Sequence, residues 1–237
     1  MRIVVYLAVI SWGTLAAAFL ANAAESPPNE TLTTLELLGG PGSGRKDWRS
    51  QDFPFVSPTQ YSFLDETTGV VLRGVSQNAN RSLLYPVPVE NPQVARLRWR
   101  WRVDSTLRGE PSERRRGGDD YAARVFVVFE TSWLPTRTRA ITYVWSAREP
   151  VDAVYANPYT DRVGMFVLRS GADQADQAWV SESRDVLSDY VRFFGRAPTR
   201  VSAVAVMVDT DNTGQSATGW FRDMFLEISP APRASAP

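Results

Sequence analysis

A cluster of oxygen-bearing side chains near the end of the chain has the spacing of a cation-binding turn. The run from Asp209 to Gly214 reads Asp-Thr-Asp-Asn-Thr-Gly, with oxygen-bearing side chains at its first, third and fifth positions and glycine at its sixth. Calcium loops open with this pattern because Ca²⁺ is coordinated by carboxylate and other oxygen atoms. The twelfth position is Trp220 instead of a bidentate glutamate, so an EF-hand is excluded. The sequence therefore predicts either a calcium site at Asp209, Asp211 and Thr213 or a tight turn.

A second group of charged residues is expected beside this run. Asp120 directly precedes a predicted strand, 121–130, that contains Arg124. Its two predicted faces are Tyr121, Ala123, Val125, Val127 and Phe129 on one side and Ala122, Arg124, Phe126, Val128 and Glu130 on the other. Both faces are largely apolar, which is typical of a strand covered on both sides. An unpaired buried charge is very costly, so Arg124 needs a carboxylate partner. We therefore predict that Asp120, Arg124, Asp209 and Asp211 lie on neighbouring strands and form one ligand-binding site.

A strictly alternating segment supplies further candidate residues. In the run 96–103, four arginines alternate with leucine, tryptophan, tryptophan and valine. Successive side chains of a strand point to opposite faces, so the apolar side predicts core and the cationic side forms a stripe. Four like charges in a row are tolerated only beside water or carboxylates. Arg98 and Arg100 are therefore predicted to bind ligand, and internal pairing with carboxylates is the alternative.

Composition removes several classes of enzyme. Histidine and cysteine are both absent from the sequence, which excludes a histidine base, the usual zinc ligands and the serine-hydrolase triad. Catalysis would have to rely on groups such as a carboxylate pair, Asp209 with Asp211 or Asp120 with either, in a glycosidase or lyase. The E-x-D-x-x-E strand of sandwich glucanases is not reproduced, because its third acidic position is Gly214. No cofactor other than calcium is expected.

The start of the chain predicts export. An apolar stretch at 3–20 is followed by Ala21-Asn22-Ala23, the small-x-small pattern of a signal-peptidase site. We predict a signal peptide over 1–23 and a bacterial periplasmic or secreted protein, with a membrane anchor as the alternative. Basic and acidic residues number 26 each. A nonspecific nucleic-acid or membrane binder would be more basic, so neither partner is expected once the signal peptide is removed.

Short segments rich in valine, leucine and aromatic residues, separated by turn residues, predict an all-β protein. Ser183 is the expected N-cap of one short helix near 184–195, which Gly195 ends. The predicted apolar face of this helix consists of Val186, Leu187, Tyr190, Val191 and Phe194. The predicted fold is a two-sheet antiparallel β-sandwich of jelly-roll type over 61–229, with an up-and-down barrel as the alternative. A partly irregular segment (24–60) and a disordered tail (230–237) flank it. The predicted strands are 61–65, 70–76, 82–89, 96–103, 121–130, 139–146, 163–169, 178–182, 199–208 and 219–228.

Six motifs in order resemble a known bacterial family, catalogued as domain of unknown function 3047. The resemblance spans roughly Val94 to Ile228 and implies the fold of that family and an exported setting. It transfers no catalytic residue. The motifs are LRWRWRV (97–103), GDDYAARV (118–125), YVWS (143–146), NPYTDRV (157–163), DYVRFFG (189–195) and DTDNTG (209–214).

The functional prediction follows from the chemistry of sugars. A β-sandwich can recognise carbohydrate by stacking aromatic rings on sugar rings and by bonding hydroxyl groups to aspartate, asparagine and arginine. Candidate stacking residues are Trp133, Trp145, Trp179 and Tyr159. We expect a non-catalytic protein that binds carbohydrate or an envelope polymer. The alternatives are a structural or interaction protein without a small-molecule site, and a carboxylate-pair glycosidase or lyase.

Overall fold

The computed structural model of the protein describes residues 32–40, 45–108, 111–129, 138–171 and 178–230. The predicted signal peptide lies outside these residues, and so does the predicted tail apart from Pro230. The described chain forms thirteen strands and one α-helix. They are β1 (Thr33–Leu38), β2 (Arg49–Asp52), β3 (Gln60–Glu66), β4 (Gly69–Gln77), β5 (Arg81–Glu90), β6 (Pro92–Val103), β7 (Tyr121–Phe129), β8 (Arg139–Ser146), β9 (Val154–Asn157), β10 (Thr160–Ser170), β11 (Val180–Asp185), α1 (Val186–Phe194), β12 (Arg200–Asp209) and β13 (Ser216–Pro230).

These strands form two sheets packed face to face. In the first sheet the order is β11–β6–β13–β4–β3, and β1 pairs with the second half of β13. In the second sheet the order is β2–β5–β12–β7–β8–β10–β9. Among the described strands, β8 and β10 form the one parallel pair. The predicted sandwich of jelly-roll type with one short helix is confirmed. The strands β1 and β2 lie in the segment that was expected to be partly irregular.

The core lies between the sheets and is organised by the apolar side of β6. Trp99 and Trp101 are 1% and 0% exposed. Across the sandwich, the Trp99 ring lies 5.4 Å from the ring of Tyr143, and the Trp101 ring lies 5.6 Å from that of Trp145. Large aromatic rings that meet at these distances bury much apolar surface, so β6 is fixed against the second sheet.

The helix connects the two sheets and begins two residues later than predicted. The N-cap is Asp185, whose carboxylate accepts hydrogen bonds from two backbone N–H groups of the first turn, both at 3.1 Å. Ser183, the predicted cap, lies within β11 instead. Gly195 ends the helix in the left-handed conformation, with φ of 72°. A short acidic side chain at the strand-to-helix junction is as good a cap as serine, so composition alone did not decide between them.

The buried face of α1 also differs from the predicted one. Val191, expected on the apolar face, is 44% exposed, whereas Asp189 is buried. The Asp189 carboxylate accepts a hydrogen bond of 2.7 Å from the Tyr143 hydroxyl and two from Arg184 at 2.6 and 2.9 Å. These bonds hold the acidic side of the helix against the sandwich and turn Val191 toward solvent.

A β-bulge changes the two faces of β7. The register with β12 shifts between Met207, which pairs with Arg124, and Asp209, which pairs with Tyr121. The extra residue places Tyr121 on the outer side of the second sheet, where it packs with a separate apolar cluster. The prediction that Tyr121 shares a face with Ala123 is therefore wrong.

Candidate functional site

A groove runs across the outer face of the second sheet, on the side away from the core. It crosses β5, β12, β7, β8 and β10 and has a volume of about 90 Å³. The loop after β2 adds Phe53 and Val56 to its wall. The floor is apolar and consists of Leu84, Phe126, Val128, Ala140, Val163, Ala205 and Met207. One part, which we call the polar end, consists of Asn80, Asp119, Arg124, Asn157, Tyr159, Asp209, Asp211 and Asn212.

Arg124 is the centre of the polar end and is paired as its burial requires. Only 5% of its side chain is exposed. Its Nε atom donates to Asp209 Oδ1 at 2.8 Å, and its Nη2 atom donates to Asp209 Oδ2. Its Nη1 atom donates to Asp119 Oδ1 at 3.2 Å. The prediction that Arg124 requires a carboxylate partner is confirmed, and the guanidinium fork binds both oxygens of that partner.

Asp120 is fully buried and fixes the turn that follows β12. Its Oδ1 atom accepts hydrogen bonds from the backbone N–H and the side-chain amide of Asn212, at 3.2 and 3.0 Å. Its Oδ2 atom accepts from the Thr213 backbone N–H at 2.6 Å. Gly214 closes the turn with a φ of 68° and a hydrogen bond of 2.9 Å from its N–H to the Thr210 carbonyl. The tight-turn alternative is therefore realised, and Asp120 is its organising side chain.

The same turn brings two of the three predicted calcium ligands, Asp209 and Asp211, together with Asp120. One oxygen atom each of Asp120, Asp209 and Asp211 lie within 4.8 Å of one another. The hydroxyl oxygen of Thr213, the predicted third ligand, is buried and has no hydrogen-bond partner among the described residues. The same is true of the carboxylate oxygen Oδ1 of Asp211. These are oxygen donors of the type that Ca²⁺ binds. Both oxygens of Asp209, however, already accept hydrogen bonds from Arg124.

Four aspartates, which we call the aspartate cluster, lie at or beside the polar end: Asp119, Asp120, Asp209 and Asp211. Two of them, Asp119 and Asp209, pair with Arg124. Burial raises the pKa of Asp119 from its ordinary value of 3.8 to about 6, although Arg124 and Asn157 oppose the change. Burial likewise raises the pKa of Asp209 against the attraction of Arg124, and that of Asp211, where Asp120 adds repulsion. In each case burial disfavours the charged form of the carboxyl group.

Four residues of the polar end, Asn80, Asp119, Asn157 and Asn212, were not identified from the sequence as site residues. Asn157 donates from its amide to Asp119 Oδ2 at 2.7 Å, Asn80 precedes β5, and Asn212 is held by Asp120. They come from segments far apart in the chain and have no shared periodicity. Asn157 and Asn212 do lie within the NPYTDRV and DTDNTG motifs, which was the available signal.

Of the predicted stacking aromatics, Tyr159 lines the groove. Its hydroxyl lies 2.7 Å from Asn212 Oδ1. Trp145 is 1% exposed and belongs to the core, so its predicted role is wrong. Arg102 and Arg222 lie over the ring of Trp179 at 5.4 and 5.3 Å, and the residue is half-buried away from the groove lining. The remaining candidate, Trp133, lies outside the described residues.

The arginine stripe lies on the opposite side of the sandwich from the groove. Arg98 contacts Glu227 at 2.6 Å, and Arg100 contacts Asp223 at 3.4 Å. These carboxylates belong to β13, which is the neighbour of β6. The structure therefore does not bring Arg98 and Arg100 to the site of Asp120, Arg124, Asp209 and Asp211, and it favours internal pairing for the stripe.

Comparisons with known proteins give a family and a fold. The model of a family described as "Protein of unknown function (DUF3047)" matches residues 46–225. No curated protein matches the chain.

Three solved structures are similar over most of their length. The family 11 carbohydrate-binding module of cellulase Lic26A-Cel5E of Clostridium thermocellum has a TM-score of 0.44 at 9% identity, covering 87% of this chain and 99% of that chain. The xyloglucanase domain of NopAA from Sinorhizobium fredii has a TM-score of 0.46 at 9% identity, covering 84% of this chain and 99% of that chain. A cellulase derived from Cel12A of Rhodothermus marinus has a TM-score of 0.44 at 11% identity, covering 83% of this chain and 100% of that chain. These similarities concern the fold alone.

Proposed function

Since this chain belongs to the family described as protein of unknown function DUF3047, whose description gives no activity, we propose a function from the groove itself. The protein binds a carbohydrate chain or envelope polymer on the outer face of the second sheet, without catalysis. The observation that carries this proposal is the combination of an apolar floor with a polar end rich in carboxylate and amide groups. Binding sites for small organic molecules share this design, with apolar contact area and a few polar groups that orient the ligand. Sugars offer both an apolar C–H face and hydroxyl groups.

The charge of the polar end favours an uncharged ligand. Arg124 is already paired with Asp119 and Asp209, and the pKa values of Asp119, Asp209 and Asp211 are raised because burial disfavours their charge. An acidic sugar would add a further negative charge to this site, and like charges in a low-dielectric environment repel strongly. We therefore expect neutral saccharides to bind and uronic acids to be rejected.

The catalytic alternative has less support from the geometry. Asp120 and Asp209 are 0% and 1% exposed. The oxygens of Asp209 accept from Arg124 and those of Asp120 accept from the turn. A general acid or base must come within hydrogen-bond reach of a substrate proton. Neither carboxylate presents a free oxygen for that purpose.

Calcium is the candidate ion for the aspartate cluster. The supporting observation is that Asp211 Oδ1 and Thr213 Oγ1 are buried without a hydrogen-bond partner among the described residues, and that oxygens of Asp120, Asp209 and Asp211 lie within 4.8 Å of one another. An ion here would favour the charged form of these carboxyl groups and hold the turn whose residues Asp211 and Asn212 line the groove. It would act as a structural ion.

We also propose that the protein is exported through its signal peptide. Cleavage after Ala23 would release a protein that begins at Ala24, in the periplasm or outside the cell. Mass spectrometry of the N-terminal peptide from the exported protein tests this directly. A protein that retains residues 1–23 in the membrane fraction would contradict it. Among the described residues, no helix is long and apolar enough to cross a membrane.

The binding proposal is tested by melting temperature across a panel of oligosaccharides. The neutral probes are cello-, xylo- and manno-oligosaccharides of three and six units, and the acidic probes are oligogalacturonates of the same lengths. A neutral series at saturation is expected to raise the melting temperature by about 5 °C or more. Phe126→Ala, on the groove floor, should abolish the ligand-induced shift, whereas Arg98→Ala, on the far side, should keep it.

Two results would contradict the proposal. If no probe shifts the melting temperature, the groove is not a carbohydrate site and the structural alternative takes its place. If reducing ends accumulate during incubation and Asp209→Asn stops their release, the protein is a glycosidase.

A further inference from the structure

One aromatic side chain stands in solvent beside the groove. Phe55 is 98% exposed, more than any other large hydrophobic residue in the described ranges. It lies in the loop between β2 and β3, and Phe53 and Val56 of the same loop line the groove. Aromatic rings gain much free energy from burial. Because the Phe55 ring is not buried, it contributes no such free energy to the stability of the fold.

The backbone at Phe55 is also strained. Residues Phe53 to Val56 form a tight turn, closed by a hydrogen bond of 3.4 Å from the Val56 N–H to the Phe53 carbonyl. Pro54 occupies the second position, and Phe55 occupies the third with a φ of 65°. A type II turn requires a positive φ at its third position, where glycine or asparagine is usual. Non-glycine residues held in this region concentrate at functional sites.

The turn projects from a fixed base. Ser57 forms a bridge with Ala79, and the Ser57 carbonyl accepts a hydrogen bond of 2.8 Å from the Asn80 N–H. The Thr59 hydroxyl is buried and donates to the Val208 carbonyl at 2.7 Å. Asn80 is itself a member of the polar end. The exposed ring is therefore carried at a defined distance from the groove.

We propose that Phe55 is a ligand-contacting residue and forms a second subsite, in which its ring packs on a sugar unit that extends out of the groove. This inference rests on the proposed function. The phenyl face and the C–H face of a pyranose ring are both apolar, so their contact removes apolar surface from water. Phe53 and Val56, close to Phe55 in the chain, line the groove, so a chain that occupies the groove and continues past this loop would meet the Phe55 ring. Phe55 therefore sets a preference for longer chains.

The test is isothermal titration calorimetry with the three-unit and six-unit members of the neutral series that stabilises the protein most. Phe55→Ala is expected to weaken binding of the six-unit probe by about tenfold, the loss typical of a truncated aromatic anchor. Binding of the three-unit probe should be unchanged. Phe55→Trp should retain the long-chain preference. Val191→Ala, which removes an exposed apolar side chain on α1, is the matched control and should change neither affinity.

The melting temperature of the free protein separates a binding role from a structural one. Because Phe55 is almost fully exposed and strained, Phe55→Ala should leave it unchanged, and Phe55→Gly should raise it. Unchanged affinity of Phe55→Ala for the six-unit probe would overturn this inference and leave the proposed function intact. Equal weakening of both probes would also overturn it. Failure of the wild-type protein to bind any saccharide removes both proposals. Wild-type sedimentation with phosphatidylglycerol vesicles that Phe55→Ala abolishes, without any difference in sugar affinity, would identify a membrane contact instead.

Discussion

Arg124 and Arg98 show how differently two arginines of one protein contribute to stability. Arg124 and its partner Asp209 are 5% and 1% exposed, whereas the side chain of Arg98 is 49% exposed beside Glu227. Removing one member of a buried pair leaves an uncompensated charge in a low-dielectric environment. Water and salt already screen an exposed pair, so its loss changes little.

The substitution Arg124→Met should therefore lower the free energy of unfolding by about 3–5 kcal/mol. The matched substitution Arg98→Met should lower it by no more than about 1 kcal/mol. Urea unfolding followed by tryptophan fluorescence measures both changes. Similar values for the two variants would show that the polar end is not the buried ion-pair site described above.

The aspartate cluster predicts that stability falls as pH rises through the mildly acidic range. Asp119 has an ordinary pKa of 3.8 that burial raises to about 6. Below both values the carboxyl is protonated in the folded and unfolded states, and above them the folded state holds a charge that burial disfavours. Stability from this group is therefore lost between pH 3.8 and about 6 as pH increases. The difference in melting temperature between the wild-type protein and Asp119→Asn, followed from pH 4 to 7, isolates this contribution. A wild-type protein that gains stability relative to Asp119→Asn over this range would contradict it.

The sequence indicated the ion pair of Arg124 and Asp209 but not the other residues around it. Arg124 lies in an apolar segment and therefore required a carboxylate partner, and Asp209 lies at the end of another apolar segment. Asn157 and Asn80 could not be predicted, since loops from distant parts of the chain bring them to the site. Phe53 belonged to a segment without clear periodicity.

Among the elements, α1 provides a direct test of the corrected N-cap. Asp185 accepts hydrogen bonds from Leu187 and Ser188 N–H groups, whereas Ser183 lies on β11 with an exposed side chain. Asp185→Ala should lower the free energy of unfolding by about 1 kcal/mol, because two N–H groups of the first turn lose their acceptor. Ser183→Ala should change it by less than about 0.5 kcal/mol, as is usual for exposed positions. Unfolding of both variants in guanidinium chloride measures the two changes in free energy. A larger loss for Ser183→Ala would show that Ser183 is the N-cap, as the sequence predicted.

The strand β6 illustrates what alternation predicts and what it leaves open. The tryptophan side was correctly predicted to be core, because period-two alternation fixes which residues share a face. The partners of the arginine side depend on the register with β13. That register shifts between Arg222 and Phe225, where Asp223 has a φ of 47°. Sequence periodicity does not reveal such a bulge, and the bulged Asp223 is the partner of Arg100.

For the whole molecule, the fold class followed from the number and spacing of apolar segments. The order of strands did not, because pairing between distant segments leaves no local pattern. After β8 the chain forms the short strand β9 and then β10, which pairs in parallel with β8 and antiparallel with β9. Nothing in the local sequence indicated this arrangement. The division of the predicted site residues between two opposite outer faces is likewise a property of the assembled sandwich.

Calcium binding to the aspartate cluster would make the stability of the whole molecule depend on metal concentration. An ion that binds the folded state alone stabilises it by mass action. Adding EDTA to protein equilibrated with saturating calcium should then lower the melting temperature by about 5 °C or more. Asp211→Asn should remove the calcium dependence, whereas Asp161→Asn, at an exposed position of β10, should preserve it. A melting temperature that is the same with calcium and with EDTA would leave the turn without an ion.

The position of β13 has a consequence for how the chain acquires its structure. This strand pairs with β1, β4 and β6, so each of these three preceding strands gains a neighbour when β13 is added. Until residues 216–230 arrive, those strands have open edges and the first sheet is incomplete. Pairing over such separations makes folding slow, because the chain must close long loops before it gains their contacts. Completion of the first sheet is thus delayed until residues 216–230 have been synthesised.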